Sequence, residues 1–162
     1  MTPIQFNKLV KPDICQVFLL SSPCSLPASM FMHTWLVTNN FGVIHRWDVW
    51  SYKKRVTAEN GHMTMDFYPP TVGLSLMPGS NDSLNISRFQ SRLIGSVEGD
   101  IGSIAQTMVE FVEKRHLEYP FKYKYHYFPG PNSNTFVQWV LNHFPESGLK
   151  LPWSAMGKGW GV

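Results

Sequence analysis

Residues 129–144 read PGPNSNTFVQWVLNHF, and the reading of this stretch decides how the rest of the chain is arranged. Pro129, Gly130 and Pro131 make a stiff, turn-prone entry. Asn132, Ser133, Asn134 and Thr135 carry the side-chain oxygens that cap free N–H groups at a helix start. Phe136, Val137, Val140, Leu141 and Phe144 then recur at helical spacing, which predicts a helix ending near Phe144, before Pro145. Hydroxyl and amide side chains are thus gathered where backbone N–H groups and the positive end of a helix dipole point outward. Such a place suits an anion or a developing oxyanion.

The nearest match in period lies upstream. Asp100 is expected to cap a helix running to about Leu117, with a buried stripe of Ile101, Ile104, Ala105, Met108, Val109, Phe111 and Val112. Pro120 stops it. The remaining apolar runs are short and read as strands at 14–21, 30–38, 43–52, 71–77 and 89–97. Asn39, Asn40 and Gly42 mark a hairpin turn between the second and third. Phe121 to Phe128 alternates aromatic against polar and predicts a further strand. The expected fold is α+β: an antiparallel sheet of about five or six strands packed on two main helices, in one domain of 162 residues.

Composition bounds function weakly. Hydrophobic residues at 43% and aromatics at 14% exclude a disordered chain. A net charge of +3 selects no partner. Lys53, Lys54 and Arg55 read as a solvated face, and at 121–128 bases and aromatics fall on opposite faces, which argues against nucleic acid. Cys15 and Cys24 are too few for a disulfide framework and read as free thiols. Pro12, Asp13 and Gln16 interrupt the first apolar piece, so neither a signal peptide nor a transmembrane helix is expected, and the cytoplasm is the expected compartment. The sequons at Asn81 and Asn85 carry weight only in a secreted chain. Gly157-Lys158-Gly159 lacks P-loop spacing, and no metal-ligand cluster or cofactor motif is present. The tail is expected to pack Trp153 and Trp160 over the domain.

Two histidines lie on the predicted hairpin. His33 shares one face of its strand with Phe31, Trp35 and Val37; His45 shares a face with Trp47 and Val49, and Arg46 and Asp48 point the other way. A hydroxyl at a helix start, a histidine on a neighbouring strand and a third group that orients it make the general plan of covalent hydrolases. Ser133 as nucleophile, His33 as base and His45 as orienter fit that plan. Asn132 and Asn134 are candidate oxyanion, capping or binding partners, and Trp35, Trp47 and Trp139 candidate groove walls.

The string HTWLVTNNFGVIHRW resembles the His-bearing hairpin of circularly permuted papain-like hydrolases, the NlpC-type and lecithin:retinol acyltransferase-like group. Those proteins have an Asn-Cys-x-x-Phe-Val motif opening a later helix; the matching string here is Asn132-Ser133-Asn134-Thr135-Phe136-Val137. The resemblance implies Ser133 in the place of the cysteine nucleophile, His33 as base and His45 at the orienting position. PGPNSNTFV, Tyr119-Pro120 and the LP…A.GK ending (Leu151-Pro152, Ala155, Gly157-Lys158) resemble the bacterial family domain of unknown function 3750, across most of residues 30–160. Serine for cysteine removes the thiolate–imidazolium pair. Three readings stay open: a serine hydrolase of amides or esters, on a small-molecule, peptide or lipid substrate; a binding module in the same groove; or a well-capped helix with no further role.

Overall fold

The architecture, taken from a computed structural model that describes residues 1–51, 56–76 and 88–162, is α+β. A five-stranded antiparallel sheet has the order β4-β3-β2-β1-β7, with β1 Cys15–Pro23, β2 Met32–Asn40, β3 Val43–Val49, β4 Met63–Met65 and β7 Arg92–Gly99. A small ribbon pairs β5 Val72–Ser75 with β6 Arg88–Gln90. Helices α2 Ile104–Arg115 and α3 Ser133–His143 pack on one face, and the short α1 Pro3–Asn7 lies near the chain start.

Both faces of the sheet are covered. On the helix side, Val17, Leu19, Leu36, Trp47 and Val49 meet Met108 and Val112 of α2 and Phe136, Val137 and Val140 of α3. On the other side, Phe18, Leu20, Trp35 and Val37 meet Phe6 of α1. This explains β1, which is buried along nearly its whole length and whose middle, Val17 to Leu20, is apolar on both faces.

The β2–β3 hairpin closes on two residues, Phe41 and Gly42, both with positive φ (48° and 92°). That is the I′ geometry, which follows the twist of the strands and favours glycine at its second position. Asn39 Oδ1 accepts the Gly42 N–H at 2.8 Å and holds the turn. The turn dictates the register: Asn40 faces Val43, Thr38 faces His45 and Leu36 faces Trp47.

Several expectations are corrected. Phe121–Phe128 is not a strand; apart from Lys122 O, which accepts the His62 N–H at 2.6 Å, its backbone bonds are local, such as Lys124 N–H to Phe121 O and His126 N–H to Pro131 O. Flanking prolines and the demand for a free sheet edge outweigh the alternating pattern. The helix expected from Asp100 begins after Ser103, whose Oγ accepts the Gln106 N–H at 3.2 Å. Gly102, at φ 84°, breaks the chain before that cap, so Ile101 projects into solvent instead of joining the buried stripe. The strand expected at 89–97 is two, broken at the buried Ser91, whose Oγ donates to Thr71 O at 2.8 Å. The tail tryptophans do not pack inward: Trp153 and Trp160 are exposed. Lys53 to Arg55, both sequons, and the ends expected at Tyr52 and Met77 lie outside the described residues.

Candidate active site

β2 and β3 part company beyond Leu36 and Trp47, so β2 continues to Met32 without a partner on that side. The start of α3 fills the fork. Asn134 Oδ1 accepts the Thr34 N–H at 3.0 Å, and its Nδ2 donates to Met32 O at 2.9 Å. One side-chain amide thus does for β2 what a peptide of a neighbouring strand would do. The same oxygen accepts the Thr34 hydroxyl at 2.8 Å, and the second Nδ2 hydrogen goes to Met156 O at 2.8 Å. With every one of its polar valences spent on the protein, Asn134 is a pin, not a ligand group.

Asn132 is the N-cap. Its Oδ1 accepts the Asn134 N–H at 3.0 Å, and Thr135 Oγ1 accepts the Asn132 N–H at 3.0 Å, a reciprocal capping box. Asn132 Nδ2 donates to Tyr127 O and Met156 O, both at 3.2 Å. Gly157 presses on this amide: a Cβ there would sit 2.5 Å from Asn132 Nδ2, and its φ of 85° suits glycine in any case. The capping role expected of Asn132 is the one its contacts describe.

The pinned helix start sets Ser133 against His33. Ser133 Oγ lies 2.8 Å from His33 Nδ1, and both residues are buried. On the far side of the ring, His33 Nε2 lies 3.1 Å from Asp48 Oδ2. A carboxylate only accepts, so Nε2 carries the proton and Nδ1 presents its lone pair to the serine hydroxyl, which donates. The three side chains form a line: hydroxyl, imidazole, carboxylate.

Asp48 is deeply buried, which alone would raise its pKa. His33 and Arg46 outweigh that burial and hold the carboxyl below its ordinary value. Arg46 Nη2 reaches the same Oδ2 at 2.8 Å, while Nη1 donates to Val72 O at 2.6 Å and Pro69 O at 3.1 Å. The guanidinium lies 4.1 Å from the centre of the Trp35 ring, a buried cation–π contact. Burial lowers the Arg46 pKa and Asp48 opposes the shift.

The orienting position expected of His45 is occupied by Asp48. The I′ register places residues 33, 35 and 37 of β2 on the same face as 46 and 48 of β3, and turns His45 to the other face. There His45 Nδ1 meets Asp66 Oδ2 at 2.6 Å, and Asp66 Oδ1 accepts the Arg46 N–H at 2.7 Å; together they fasten a left-handed residue after β4. The signal that would have found Asp48 was in the sequence: a two-residue turn at Phe41-Gly42 makes paired positions sum to 83 and sets Asp48 beside Trp35, diagonal to His33.

Ser133 and His33 open onto a cavity of about 430 Å³. Its walls are largely apolar and aromatic, including Phe31, Trp50, Tyr68, Leu74, Tyr125 and Tyr127. None of the tryptophans expected as walls is among the lining residues. Trp35 is core, its Nε1 donating to Pro70 O at 2.9 Å; Trp47 faces the helices and bonds Thr38 Oγ1 at 2.9 Å; Trp139 packs on Phe111 and Tyr119. Trp50 holds the place instead, 5.1 Å from the His33 ring. Cys24 also lines the cavity, but burial pushes its thiol up to about 11. At neutral pH it is held as the thiol. Burial raises the Tyr125 phenol as well, which keeps it a neutral donor. Among the described residues no group of three His, Cys, Asp or Glu is placed to hold a metal, and no helix is long and apolar enough to cross a membrane.

What fold and site define together is an α+β protein with a buried Ser–His–Asp line at the mouth of an apolar cavity. The chain belongs to the family described as "Protein of unknown function (DUF3750)", whose model matches residues 14–160. No curated protein and no solved structure matches it.

Proposed function

We propose that this protein is a serine hydrolase of esters or amides, with Ser133 as nucleophile, His33 as general base and Asp48 as the group that orients and ionically supports His33. The observation that carries the reading is the line itself: 2.8 Å from Ser133 Oγ to His33 Nδ1 and 3.1 Å from His33 Nε2 to Asp48. As Ser133 Oγ attacks the carbonyl carbon, its proton passes to His33 Nδ1. The imidazolium formed is stabilised by the Asp48 carboxylate. The carbonyl oxygen gains negative charge at the start of α3, where the Ser133 N–H stands in the first turn and has no acceptor within the helix. His33 then returns the proton to the leaving alcohol or amine. Water, deprotonated by the same imidazole, releases the acid from the acyl-serine.

The likeness of the hairpin and the Asn132–Val137 string to permuted papain-like hydrolases supports the reading, and the geometry accounts for the departure at the nucleophile. A serine cannot rest as an anion, so it needs a base held in place with a charge partner behind it. A buried carboxylate on the far side of the ring supplies that.

The test is labelling by a fluorophosphonate probe. Wild type is expected to form one adduct, on Ser133, and Ser133→Ala and His33→Ala none, with circular dichroism unchanged. A folded wild type that never labels, yet takes up apolar ligands in the cavity, would make the protein a binding module.

A further inference from the structure

The mouth of the cavity has a rim that burial does not explain. Met30 is 72% exposed, Tyr127 74%, Phe128 71% and Trp153 85%. These are large apolar side chains on three segments that lie together. Met32 N–H donates to Ser154 O at 3.0 Å, which brings the segments of Met30 and Trp153 side by side. Asn132 Nδ2 joins Tyr127 O to Met156 O. Tyr127 and Phe128, with Leu26, also line the cavity, so rim and interior are one continuous apolar surface. Scattered single exposed residues need no explanation, whereas a contiguous patch around a cavity mouth does.

The three segments that form the rim carry charge of one sign. Residues 24–32, 119–134 and 147–162 contain no Asp or Glu, and they carry Lys122, Lys124, Lys150 and Lys158. Glu118 and Glu146 lie just outside these segments, and Lys122 Nζ donates to the backbone oxygen of Glu59 at 3.3 Å, so the acidic groups flank the rim and do not sit within it. Exposed aromatics set among lysines are what an anionic bilayer surface takes up: rings settle at the headgroup level and cations meet the lipid charge. A protein partner is more often matched by a rim of both charge signs, whereas the charged side chains of these segments are all lysines.

We propose that this rim docks on the surface of an anionic lipid bilayer, with Met30, Tyr127, Phe128 and Trp153 seated among the headgroups, so that the cavity opens onto the membrane. The substrate is then an acyl-bearing lipid whose chain enters the cavity and whose ester or amide reaches Ser133. The substrate half rests on the hydrolase reading above; the docking half does not.

The experiment is sedimentation with phosphatidylcholine vesicles, with and without phosphatidylglycerol, using wild type, Ser133→Ala, Phe128→Ser and Trp153→Ser. Wild type and Ser133→Ala are expected to bind the anionic vesicles equally. Each rim variant should bind about tenfold more weakly or worse, given the apolar area lost. Trp153 emission should shift to the blue on binding, a readout independent of sedimentation. Docking is overturned if no variant sediments, if rim variants bind like wild type, or if light scattering shows a dimer that only rim variants dissolve. Fatty acid release from the vesicles by wild type and not by Ser133→Ala is the expected result for the substrate half. Docking without release would overturn that half alone, and probe labelling without docking would leave the chemistry of Ser133 standing.

Discussion

Asp48→Asn is the most informative single change, because it separates the chemistry of the site from its stability. Asp48 Oδ2 accepts from both His33 Nε2 and Arg46 Nη2, while Oδ1 accepts the Val49 N–H at 2.8 Å. An asparagine cannot reproduce this. One orientation sets its NH₂ against two donors, and the other sets it against the Val49 N–H. Either way Arg46, 1% exposed, loses the only carboxylate it is bonded to among the described residues. Removing one partner of a buried ion pair costs about 3–5 kcal/mol. For a chain of this size that lowers Tm by roughly 6–20 °C. Against a total stability of about 5–15 kcal/mol the variant should still fold at room temperature. Its labelling by a fluorophosphonate should fall by roughly 10³–10⁴-fold, since the imidazolium is no longer stabilised. Replacing both residues, Arg46→Met with Asp48→Leu, should recover most of the lost Tm, because a well-packed apolar pair avoids the desolvation cost. It should not recover labelling. Differential scanning calorimetry beside labelling kinetics reads both. The reasoning fails if Asp48→Asn melts within about 2 °C of wild type, or if the apolar pair is no more stable than the single variant.

Three further outcomes are expected. Ser133→Cys should place a thiol beside His33 and lower its pKa well below the ordinary value, so that iodoacetamide alkylates it at pH 6, whereas Cys24, pushed up to about 11, does not react there; tryptic mapping of the adduct decides. Asn134→Ala deletes four hydrogen bonds, at about 0.5–1.5 kcal/mol each, and should lower the urea midpoint and slow labelling together, since it frees the helix start that carries Ser133. Asp48 binds its proton more weakly in the folded chain than in the unfolded one, so its contribution is present above the ordinary carboxylate value of 3.8 and is lost as pH falls through and below it; denaturation followed from pH 7 to 2 should show this loss in wild type and much less of it in Asp48→Asn.

How much of this was legible beforehand depends on the range of the interactions. The cap at Asn132 and the apolar stripe of α3 are written within a dozen residues and were read correctly in kind and place. So were β1 and the hairpin, whose runs and turn residues are local. Ser133 and His33 were singled out as a pair 100 residues apart, on chemistry and on a resemblance, and they lie within hydrogen-bond distance. Asp48 was passed over because its face was judged strand by strand, and only the turn type couples the two strands. The expected strand at 121–128 failed for a different reason. Alternation says which side chains share a face, not whether a sheet edge is there to receive them. Tyr125 and Tyr127 line the cavity instead, while Tyr123 donates to Ala58 O, and Trp153 stays exposed in the tail. Residues placed for an outside partner break the inward-facing rule from which burial is inferred.

The fork between β2 and β3 has one more consequence. It is closed by a single amide, that of Asn134, and not by another strand, so the position of Ser133 is written in the helix start and the strand it plugs into. The segment at 24–31 contributes cavity lining, while the segment at 121–128 both lines the cavity and holds the helix entry through Tyr127 O and the His126 N–H. Their lining side chains can be exchanged without touching the Asn134 bonds that seat Ser133 beside His33. The shape of the cavity and the Ser133–His33 spacing can therefore vary separately in this architecture: lining side chains set the one, and the plug holds the other.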